Sequence, residues 1–333
     1  MSESGDGDTP QQPEAANDDT SNAAQAMVRE IGKAVIGQEA VIRQVVLSVL
    51  AGGHVLLEGV PGLGKTLLVR ALAACFGGSH RRIQFTPDLM PSDVTGHVLF
   101  NMQTGHFEVR QGPVFANLLL ADEVNRAPAK TQAALLEVMQ EGQVTIEGET
   151  HRVPRPFMVL ATQNPIEQEG TYPLPEAELD RFLMKVLMDY PQAHHERLMV
   201  DVVTSGRPAD VLHVDHLSQL LPAEGVTNLQ AQAAAVLMDE SVMDYAVRLV
   251  RATRAYSGIS RGAGPRASIA LARVARANAF LSGRDHVLPD DVKQIALPVL
   301  RHRIALTPDL EIEGVSPDQQ LQQLIDDVPA PRV

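Results

Sequence analysis

The sequence predicts an α/β fold, in which a parallel sheet with helices on both faces is followed by a smaller all-α domain. Three observations support this prediction. Short apolar strands alternate with helical patterns as far as Tyr190, which favours a parallel sheet. A glycine-rich loop joins the first strand to a helix, as in phosphate-binding α/β domains. Beyond Pro191 the hydrophobic period is helical to about Thr307.

The individual elements follow from hydrophobic period and turn residues. Strands are predicted over 54–58, 82–85, 96–100, 105–109, 116–121, 142–146, 150–153, 157–161 and 181–188. Helices are predicted over 23–31, 38–50, 66–75, 130–140, 193–203, 241–256, 265–281 and 289–300. The third and fourth strands should form one hairpin, and the sixth and seventh a second one.

Composition divides the 333 residues into two domains and two acidic tails. The core is expected over 26–190 and the helical domain over 191–310. Residues 1–25 are polar and acidic without Lys or Arg, so we expect disorder there. Residues 311–333 are also acidic and are expected to form a C-terminal tail.

Residues 59–66 read Gly-Val-Pro-Gly-Leu-Gly-Lys-Thr, the spacing of a P-loop. Its glycines let backbone N–H groups close around a phosphate. Lys65 supplies a positive charge for the β- and γ-phosphates of ATP, and the Thr66 hydroxyl suits Mg²⁺. A plain glycine-rich turn would not need the strand before it and the helix after it. The predicted nucleotide contacts in this stretch are Gly59, Pro61, Gly62, Leu63, Gly64, Lys65, Thr66 and Leu67.

The strand over 116–121 ends in Asp122-Glu123. It delivers Asp122 to the carboxyl edge of the sheet, where this carboxylate can hold Mg²⁺. Glu123 can orient and polarise the attacking water. A solvated acidic turn is the alternative, but an apolar strand ending in Asp-Glu after a P-loop favours the hydrolytic interpretation.

Three further polar residues are candidates for the same chemistry. Asn164 ends a buried strand, where it can hold the water and the γ-phosphate, although Asn-Pro is also a common turn. Arg181 follows Asp180, and Arg266 stands in the first turn of a predicted helix. A cation at a helix start calls for an anion, which ATP can supply. A surface salt bridge is the alternative for either arginine.

Composition excludes several classes of function. The formal charge of −13 argues against a general nucleic-acid binder. No apolar run is long enough to cross a bilayer, and the N-terminus shows no signal segment. The single cysteine, Cys75, suits a reducing cytoplasm. A GTPase is disfavoured because no Asn-Lys-x-Asp motif is present, and His194-His195-Glu196 lacks the spacing of a metal site.

From about residue 36 to about residue 300 the chain resembles the MoxR family of AAA+ ATPases. The most specific stretches are 85–93, 118–128, 161–165 and 169–177, which read FTPDLMPSD, LLLADEVNRAP, ATQNP and EGTYPLPEA. The resemblance implies an AAA+ αβα P-loop core, a helical lid and a ring of copies, usually six. It also implies a flanking role at adenine for Ile36 and Gly37. Gly264 departs from the family, which more often has Ser there, and we expect a modest effect on the lid.

The same resemblance implies roles for the candidate residues. Lys65 and Thr66 match the P-loop contacts, Asp122 the Mg²⁺ residue and Glu123 the water-activating base. Asn164 matches the first sensor, Arg181 the finger that enters the next subunit's site, and Arg266 the second sensor. The implied cofactors are ATP and Mg²⁺.

The resemblance also implies a function. It is chaperone-like remodelling, maturation or activation of client or adaptor proteins, often ones with von Willebrand A domains, with no nucleic acid and no membrane insertion. The predicted hairpins are the candidate client contacts. The alternatives are the ATPase subunit of a metal chelatase, a nucleic-acid motor of the same branch, and a nucleotide-regulated switch with negligible turnover. Intact Glu123, Asn164 and Arg181 argue against the switch.

Overall fold

The computed structural model describes residues 14–163, 171–205 and 214–332. Its strands are β1 (Val55–Glu58), β2 (His80–Gln84), β3 (Gly96–Asn101), β4 (His106–Gln111), β5 (Leu118–Asp122), β6 (Gln143–Ile146), β7 (Glu149–Arg152), β8 (Met158–Gln163), β9 (Met184–Leu187), β10 (Ile259–Arg261) and β11 (Ala305–Leu306). Its helices are α1 (Glu14–Gly32), α2 (Glu39–Leu50), α3 (Lys65–Phe76), α4 (Pro91–Thr95), α5 (Ala129–Glu141), α6 (Glu176–Leu179), α7 (Ala193–Thr204), α8 (Ala223–Ala235), α9 (Glu240–Ala252), α10 (Pro265–Leu281), α11 (Pro289–Leu300), α12 (Pro308–Ile312) and α13 (Pro317–Asp327). A short 3₁₀ helix spans Val124–Arg126.

Within the described residues, the central sheet has five strands in the order β2–β5–β8–β1–β9, and every neighbouring pair is parallel. Its middle strands are apolar on both faces, as a sheet covered on both sides requires. In β1, Val55 and Leu57 face one hydrophobic cluster, while Leu56 faces the other. This arrangement confirms the predicted α/β core.

The two faces of the sheet are covered by different helices. One cluster joins the sheet to α1, α2 and α3 and to the helices of the lid, α8 to α11. The other cluster joins it to α4 and α5. The two predicted hairpins are present as β3–β4 and β6–β7. Because the strands run parallel, their carboxyl ends collect at one edge, and the loops at that edge form the candidate site.

The prediction of disorder over 1–25 is wrong from residue 14 onward, where α1 begins. Residues 1–13 lie outside the described part of the chain. Ala24, Met27 and Ile31 recur at helical spacing and are completely buried. Gln25 Nε2 also donates to the Leu281 carbonyl of α10 at 3.0 Å. Polar composition concealed this short apolar stripe, which anchors α1 to the body of the protein.

The acidic C-terminal segment is likewise folded, so its description as a tail is corrected. Leu321, Leu324 and Ile325 of α13 are buried in the same cluster as the lid helices. Two of its acidic residues have partners: Arg301 Nη2 lies 2.8 Å from Asp318 Oδ2, and Tyr256 Oη donates to Asp327 Oδ2 at 2.6 Å. Asp318 and Asp327 thus help to hold this segment on the lid.

The lid is mainly helical, as predicted, with two additions. Helix α8 was not predicted, because its alanines and glutamines weaken the helical period of the hydrophobic residues. A short antiparallel pair, β10–β11, joins Ile259 to Leu306 and corrects the prediction of an all-α domain. This pair holds the segment that precedes α10 against the segment that precedes α12. The predicted boundary at residue 190 falls between β9 and α7.

Candidate active site

The P-loop connects the carboxyl end of β1 to α3. Gly62 and Gly64 have φ of +88° and +84°, in the left-handed region that glycine adopts without strain. Gly64 is the N-cap of α3 and offers no side chain to its first N–H groups. These donors, with the positive end of the helix dipole, are available to an anion.

Lys65 is held inside this loop. Its Nζ donates to the Gly59 carbonyl at 2.6 Å. Burial lowers the pKa of Lys65, while the nearby carboxylates of Asp122, Glu123 and Glu58 oppose that shift. Gly59 is required by packing, because a Cβ at this position would lie 2.5 Å from the Met188 carbonyl oxygen. The loop therefore positions one lysine among carboxylates at the mouth of a cleft.

Asp122 and Glu123 lie at the end of β5, next to the P-loop. The backbone of Glu123 has a φ of +55°, which is uncommon for a residue with a side chain. The buried Thr162 of β8 contacts both acids: its Oγ1 donates to Asp122 Oδ1 at 2.6 Å and accepts from Glu123 N at 2.9 Å. One hydroxyl thus fixes the carboxylate of the first acid and the backbone of the second.

Three residues that sequence reasoning missed contact these acids. Arg82 Nη2 lies 2.6 Å from Asp122 Oδ2, and Gln84 Nε2 donates to Glu123 Oε2 at 2.9 Å. Arg126 Nε lies 2.8 Å from Glu123 Oε2. Arg82 and Gln84 alternate on β2, which pairs with β5 in parallel register, so their side chains share a face. Their spacing of two residues was the available signal, but it acquires meaning only once β2 is placed beside β5.

The P-loop and the acids line a cleft of about 760 Å³, and α7 lies across it through Met199 and Val203. Of the predicted contacts it contains Pro61, Gly62, Gly64, Lys65, Thr66, Leu67, Asp122 and Glu123. A smaller apolar slot of about 110 Å³ adjoins it, and Ile36, Leu63 and Leu67 line this slot together with Pro191 and Met199. The slot has the size and polarity to receive part of a flat heterocycle.

Gly37 lies between two residues that line this slot, Ile36 and Gln38, and its backbone faces His195 of α7. Its φ of +75° and the position of His195 leave no room for a side chain, because a Cβ would lie 2.8 Å from His195 Cβ. The His195 ring in turn packs against the His194 ring at a tilt of 41°, with 3.9 Å between centroids. Gly37 therefore lets α7 approach the slot closely.

Arg181 and Arg266 lie together, but away from the P-loop. Both line a second cleft of about 350 Å³, with Gly52, Gly53 and His54. These last residues precede β1, whereas the P-loop follows it, so the two clefts occupy opposite edges of the sheet. The four residues of β1 span roughly 13 Å. Arg266 therefore lines this second cleft and not the cleft of the P-loop, and its role as the second sensor stays a prediction.

Asn164, the remaining candidate, lies outside the described residues. Gly264, the departure from the family pattern, is the N-cap of α10 with a φ of −79°. A Cβ there would meet nothing within 4 Å. A serine therefore fits at this position as well as glycine does.

The residues of the main cleft fit a magnesium ion. Thr66 and Asp122 both line it and supply hydroxyl and carboxylate oxygens, the donors that Mg²⁺ prefers. Among the described residues no group of three or more His, Cys, Asp or Glu side chains is arranged to hold a metal. Mg²⁺ at nucleotide sites needs no such cage, because phosphates and water complete its shell.

Across the described residues, no helix is both long and apolar enough to cross a membrane.

Comparisons with known proteins find two family models in the chain. The family described as "ATPase family associated with various cellular activities (AAA)" matches residues 54–184, and the family described as "AAA lid domain" matches residues 251–324. The first range contains the P-loop, both acids and Arg181. The second contains Arg266 and most of α13, in agreement with a folded C-terminal segment.

Relatives extend the match over nearly the whole chain. Chaperone MoxR1 of Mycobacterium tuberculosis is 43% identical over 313 residues, which cover 91% of this chain and 81% of the relative. YeaC of Bacillus subtilis is 44% identical over 304 residues, covering 91% and 93%. A crystal structure from Cytophaga hutchinsonii is similar with a TM-score of 0.88 at 44% identity, covering 96% and 98%. The predicted resemblance is confirmed: the core is that of an ATP-hydrolysing enzyme, and the chain belongs to the MoxR family of AAA ATPases.

Proposed function

We propose that this ATPase works as a ring in which each nucleotide site is completed by a neighbouring copy, and that the ring remodels partner proteins. The observation that carries the proposal is the separation of the two clefts. Lys65, Asp122 and Glu123 line the cleft at the carboxyl edge of the sheet, while Arg181 and Arg266 line the cleft at the other edge. Two arginines that point at no nucleotide of their own are explained if they serve the next subunit.

The chain's own cleft supplies the groups for hydrolysis. Lys65 contacts the β- and γ-phosphates, and the apolar slot beside Ile36 and Gly37 receives adenine. Thr66 and Asp122 hold Mg²⁺, which would offset charge on the phosphate oxygens. Glu123 takes a proton from the attacking water as general base. We assign Asn164 to hold that water and the γ-phosphate in place.

The second cleft supplies positive charge in trans. Among the described residues, the side chain of Arg181 makes no hydrogen bond or ion pair, so its guanidinium is free to meet an anion from another subunit. Such arginines contribute on the order of 10³ or more to the rate of phosphoryl transfer. Arg266 at the start of α10 adds a second cation to the same cleft. Following the family, we infer a ring of six copies.

The chaperone-like role rests on the relative named Chaperone MoxR1 and on the hairpin β3–β4. Phe100 pairs with Phe107 across the hairpin, with ring centroids 5.2 Å apart. These side chains are 53% and 75% exposed, and Met102 at the tip is 91% exposed. Exposed apolar groups of this size mark protein contact sites. We propose that clients or adaptors, including proteins with von Willebrand A domains, meet the ring there.

A nucleic-acid motor has less support from these hairpins. The charged residues of β3–β4 are Glu108 and Arg110, and β6–β7 carries Glu147, Glu149 and Arg152. Neither hairpin offers the basic cluster that a phosphate backbone requires.

We also propose a cytoplasmic location. Cys75, the single cysteine of the sequence, is free and buried, and a cysteine without a disulfide partner suits a reducing compartment.

The ring is tested by measuring ATPase rate against protein concentration, with mass determined in parallel and DNA added as a control. We expect specific activity to rise steeply as the ring forms and to ignore DNA. A complementary test mixes Arg181→Ala with Glu123→Gln subunits, which are each inactive alone. Mixed rings should regain part of the activity, because some sites then combine an intact Glu123 with an intact Arg181.

Two results would contradict the proposal. Full activity in a monomer would remove the need for a neighbouring arginine. Strong stimulation by DNA would favour the motor instead of protein remodelling.

A further inference from the structure

Arg303 of the lid is the most completely bonded arginine in the second cleft. It follows α11, and its side chain is 3% exposed. Its guanidinium makes five hydrogen bonds, one for each N–H that the group carries. Nε donates to Asp180 Oδ1 at 2.7 Å, Nη1 to Leu183 O at 3.2 Å and to Val299 O, and Nη2 to Phe182 O at 2.6 Å and to Asp180 O at 3.3 Å.

These contacts surround Arg181. Asp180 precedes it, and Phe182 and Leu183 follow it, so Arg303 fixes the backbone on both sides of one residue. The neighbouring lid residue His302 adds a contact between its Nε2 and Phe182 O at 3.1 Å. The side chain of Arg181 remains without a hydrogen bond in the described part of the chain, in the same cleft. All donors of Arg303 therefore hold the backbone and Asp180, whereas the donors of Arg181 are available to a ligand.

Burying a guanidinium between the core and the lid carries a large desolvation free energy. An apolar side chain of similar volume would often stabilise a core as well or better, because a buried charge loses its hydration. A planar fork with five donors does something that an apolar residue cannot, since it fixes several carbonyl groups at set angles. The choice of arginine here points to a requirement for geometry at residues 180–183.

We propose that Arg303 is a positioning residue for Arg181. It holds the segment Asp180–Leu183 against the lid, so that Arg181 projects toward the neighbour's nucleotide in a fixed direction. The position of the lid in one subunit then determines the position of the finger in the next site. This inference rests on the proposed function, because it requires Arg181 to act in trans.

The test replaces Arg303 by methionine, which keeps an unbranched apolar stem at this position and removes all donors. ATP affinity of the variant, measured with a fluorescent ATP analogue, should stay near that of the wild type, because its P-loop is untouched. Its kcat should fall about 10- to 100-fold, the effect of a displacement of about 1 Å in a catalytic group. Mixing Arg303→Met with Glu123→Gln subunits should restore part of the activity, because the second partner supplies a well-placed finger.

Arg301→Met is the matched control. Arg301 lies in the same turn and also joins lid to core, but it contacts Asp318 and the Lys185 carbonyl instead of the finger segment. Its loss should lower thermal stability and leave kcat close to that of the wild type. An equal loss of kcat in both variants would mean that any weakening of the lid is enough, and would overturn the specific role of Arg303.

Other outcomes separate this inference from the function on which it rests. Wild-type kcat in Arg303→Met rings would overturn it. So would a loss of kcat that Glu123→Gln subunits fail to restore while they do restore Arg181→Ala. Failure of the Arg181→Ala mixture itself would instead remove the trans-acting finger, and this inference with it.

If Arg303→Met rings fail to assemble, Asp180→Ala decides. Asp180 is partly exposed, and alanine removes only the carboxylate that accepts the bond from Arg303 Nε. A reduced kcat with the same rescue supports the proposal, and an unchanged kcat contradicts it.

Discussion

The hydroxyl of Thr162 accepts a hydrogen bond from the backbone N–H of Glu123, with 2.9 Å between Oγ1 and N. The same hydroxyl donates to Asp122 Oδ1 at 2.6 Å. Thr162 is completely buried, and the backbone of Glu123 has a φ of +55°. A residue held in this sparsely populated region needs support from its surroundings, and Thr162 provides part of it. The strand that ends near the proposed first sensor thus also orders the two acids on the adjacent strand.

Thr162→Val should retain ATP binding but lose turnover. Valine has the same shape without the hydroxyl, so the Glu123 N–H is left unpaired at a cost of about 1–3 kcal/mol. We expect kcat to fall about 10- to 100-fold, because Glu123 moves relative to the attacking water. Thr162→Ser keeps the hydroxyl and should recover most of the rate. Steady-state kinetics measure both variants, and a fully active valine variant would show that Thr162 is dispensable for the acids.

Lys65→Ala should abolish ATP binding. Lys65 is the P-loop cation, and its removal takes away the positive charge that the β- and γ-phosphates would meet. Titration with a fluorescent ATP analogue measures the affinity. Lys293→Ala, an exposed lysine of the lid, is the control for the loss of one positive charge. Retained affinity in Lys65→Ala would mean that the phosphates bind elsewhere.

The sequence predicted the P-loop, the strand that ends at Asp122-Glu123 and the alternation of strands and helices along the core, because each depends on neighbours in the chain. Arg82 and Gln84 were missed because they meet Asp122 and Glu123 only through the pairing of β2 with β5. The cleft shared by Arg181 and Arg266 was also beyond sequence reasoning. It depends on how the lid docks against the amino ends of the strands, which no local pattern encodes.

The predictions for the two terminal segments were wrong for a different reason. Composition is an average, and a few apolar residues at helical spacing are enough to anchor a polar helix. Ala24, Met27 and Ile31 do this for α1, and Leu321, Leu324 and Ile325 do it for α13. Acidic composition misled most at the C-terminus, where Asp318 is paired with Arg301.

Arg266→Ala should reduce turnover without weakening ATP binding by the monomer. Arg266 lies with Arg181 at the edge of the sheet opposite the P-loop, so in the proposed ring it meets a nucleotide only across a subunit boundary. Affinity is measured at dilutions where mass analysis shows monomers, and kcat under conditions where rings form. Mixing with Glu123→Gln subunits should restore part of the rate. Weaker binding by monomeric Arg266→Ala would place this arginine on its own nucleotide and contradict the trans assignment.

The buried His54 should make the protein less stable in mild acid. Its Nε2 donates to the Met139 carbonyl at 2.9 Å, and its Nδ1 accepts from Val159 N at 3.0 Å, so the folded state requires a neutral ring. Burial lowers the pKa of His54 to about 4 from the ordinary value of 6.5. The unfolded chain therefore takes up a proton that the folded chain refuses. His54 thus contributes stability that is complete above pH 6.5 and is lost as the pH falls toward 4.

Chemical unfolding at about pH 7.5 and about pH 5 measures this effect, which should reach about 2 kcal/mol of unfolding free energy for His54. His54→Gln should lower stability at neutral pH and flatten the difference between the two conditions. Part of the difference should remain, because burial also lowers the pKa of His302. His106→Gln, on the exposed hairpin, serves as the control and should keep the full pH dependence. If His54→Gln loses as much stability on acidification as the wild type, the ring of His54 accepts its proton in the folded state, and the hydrogen bond from Val159 does not hold it neutral.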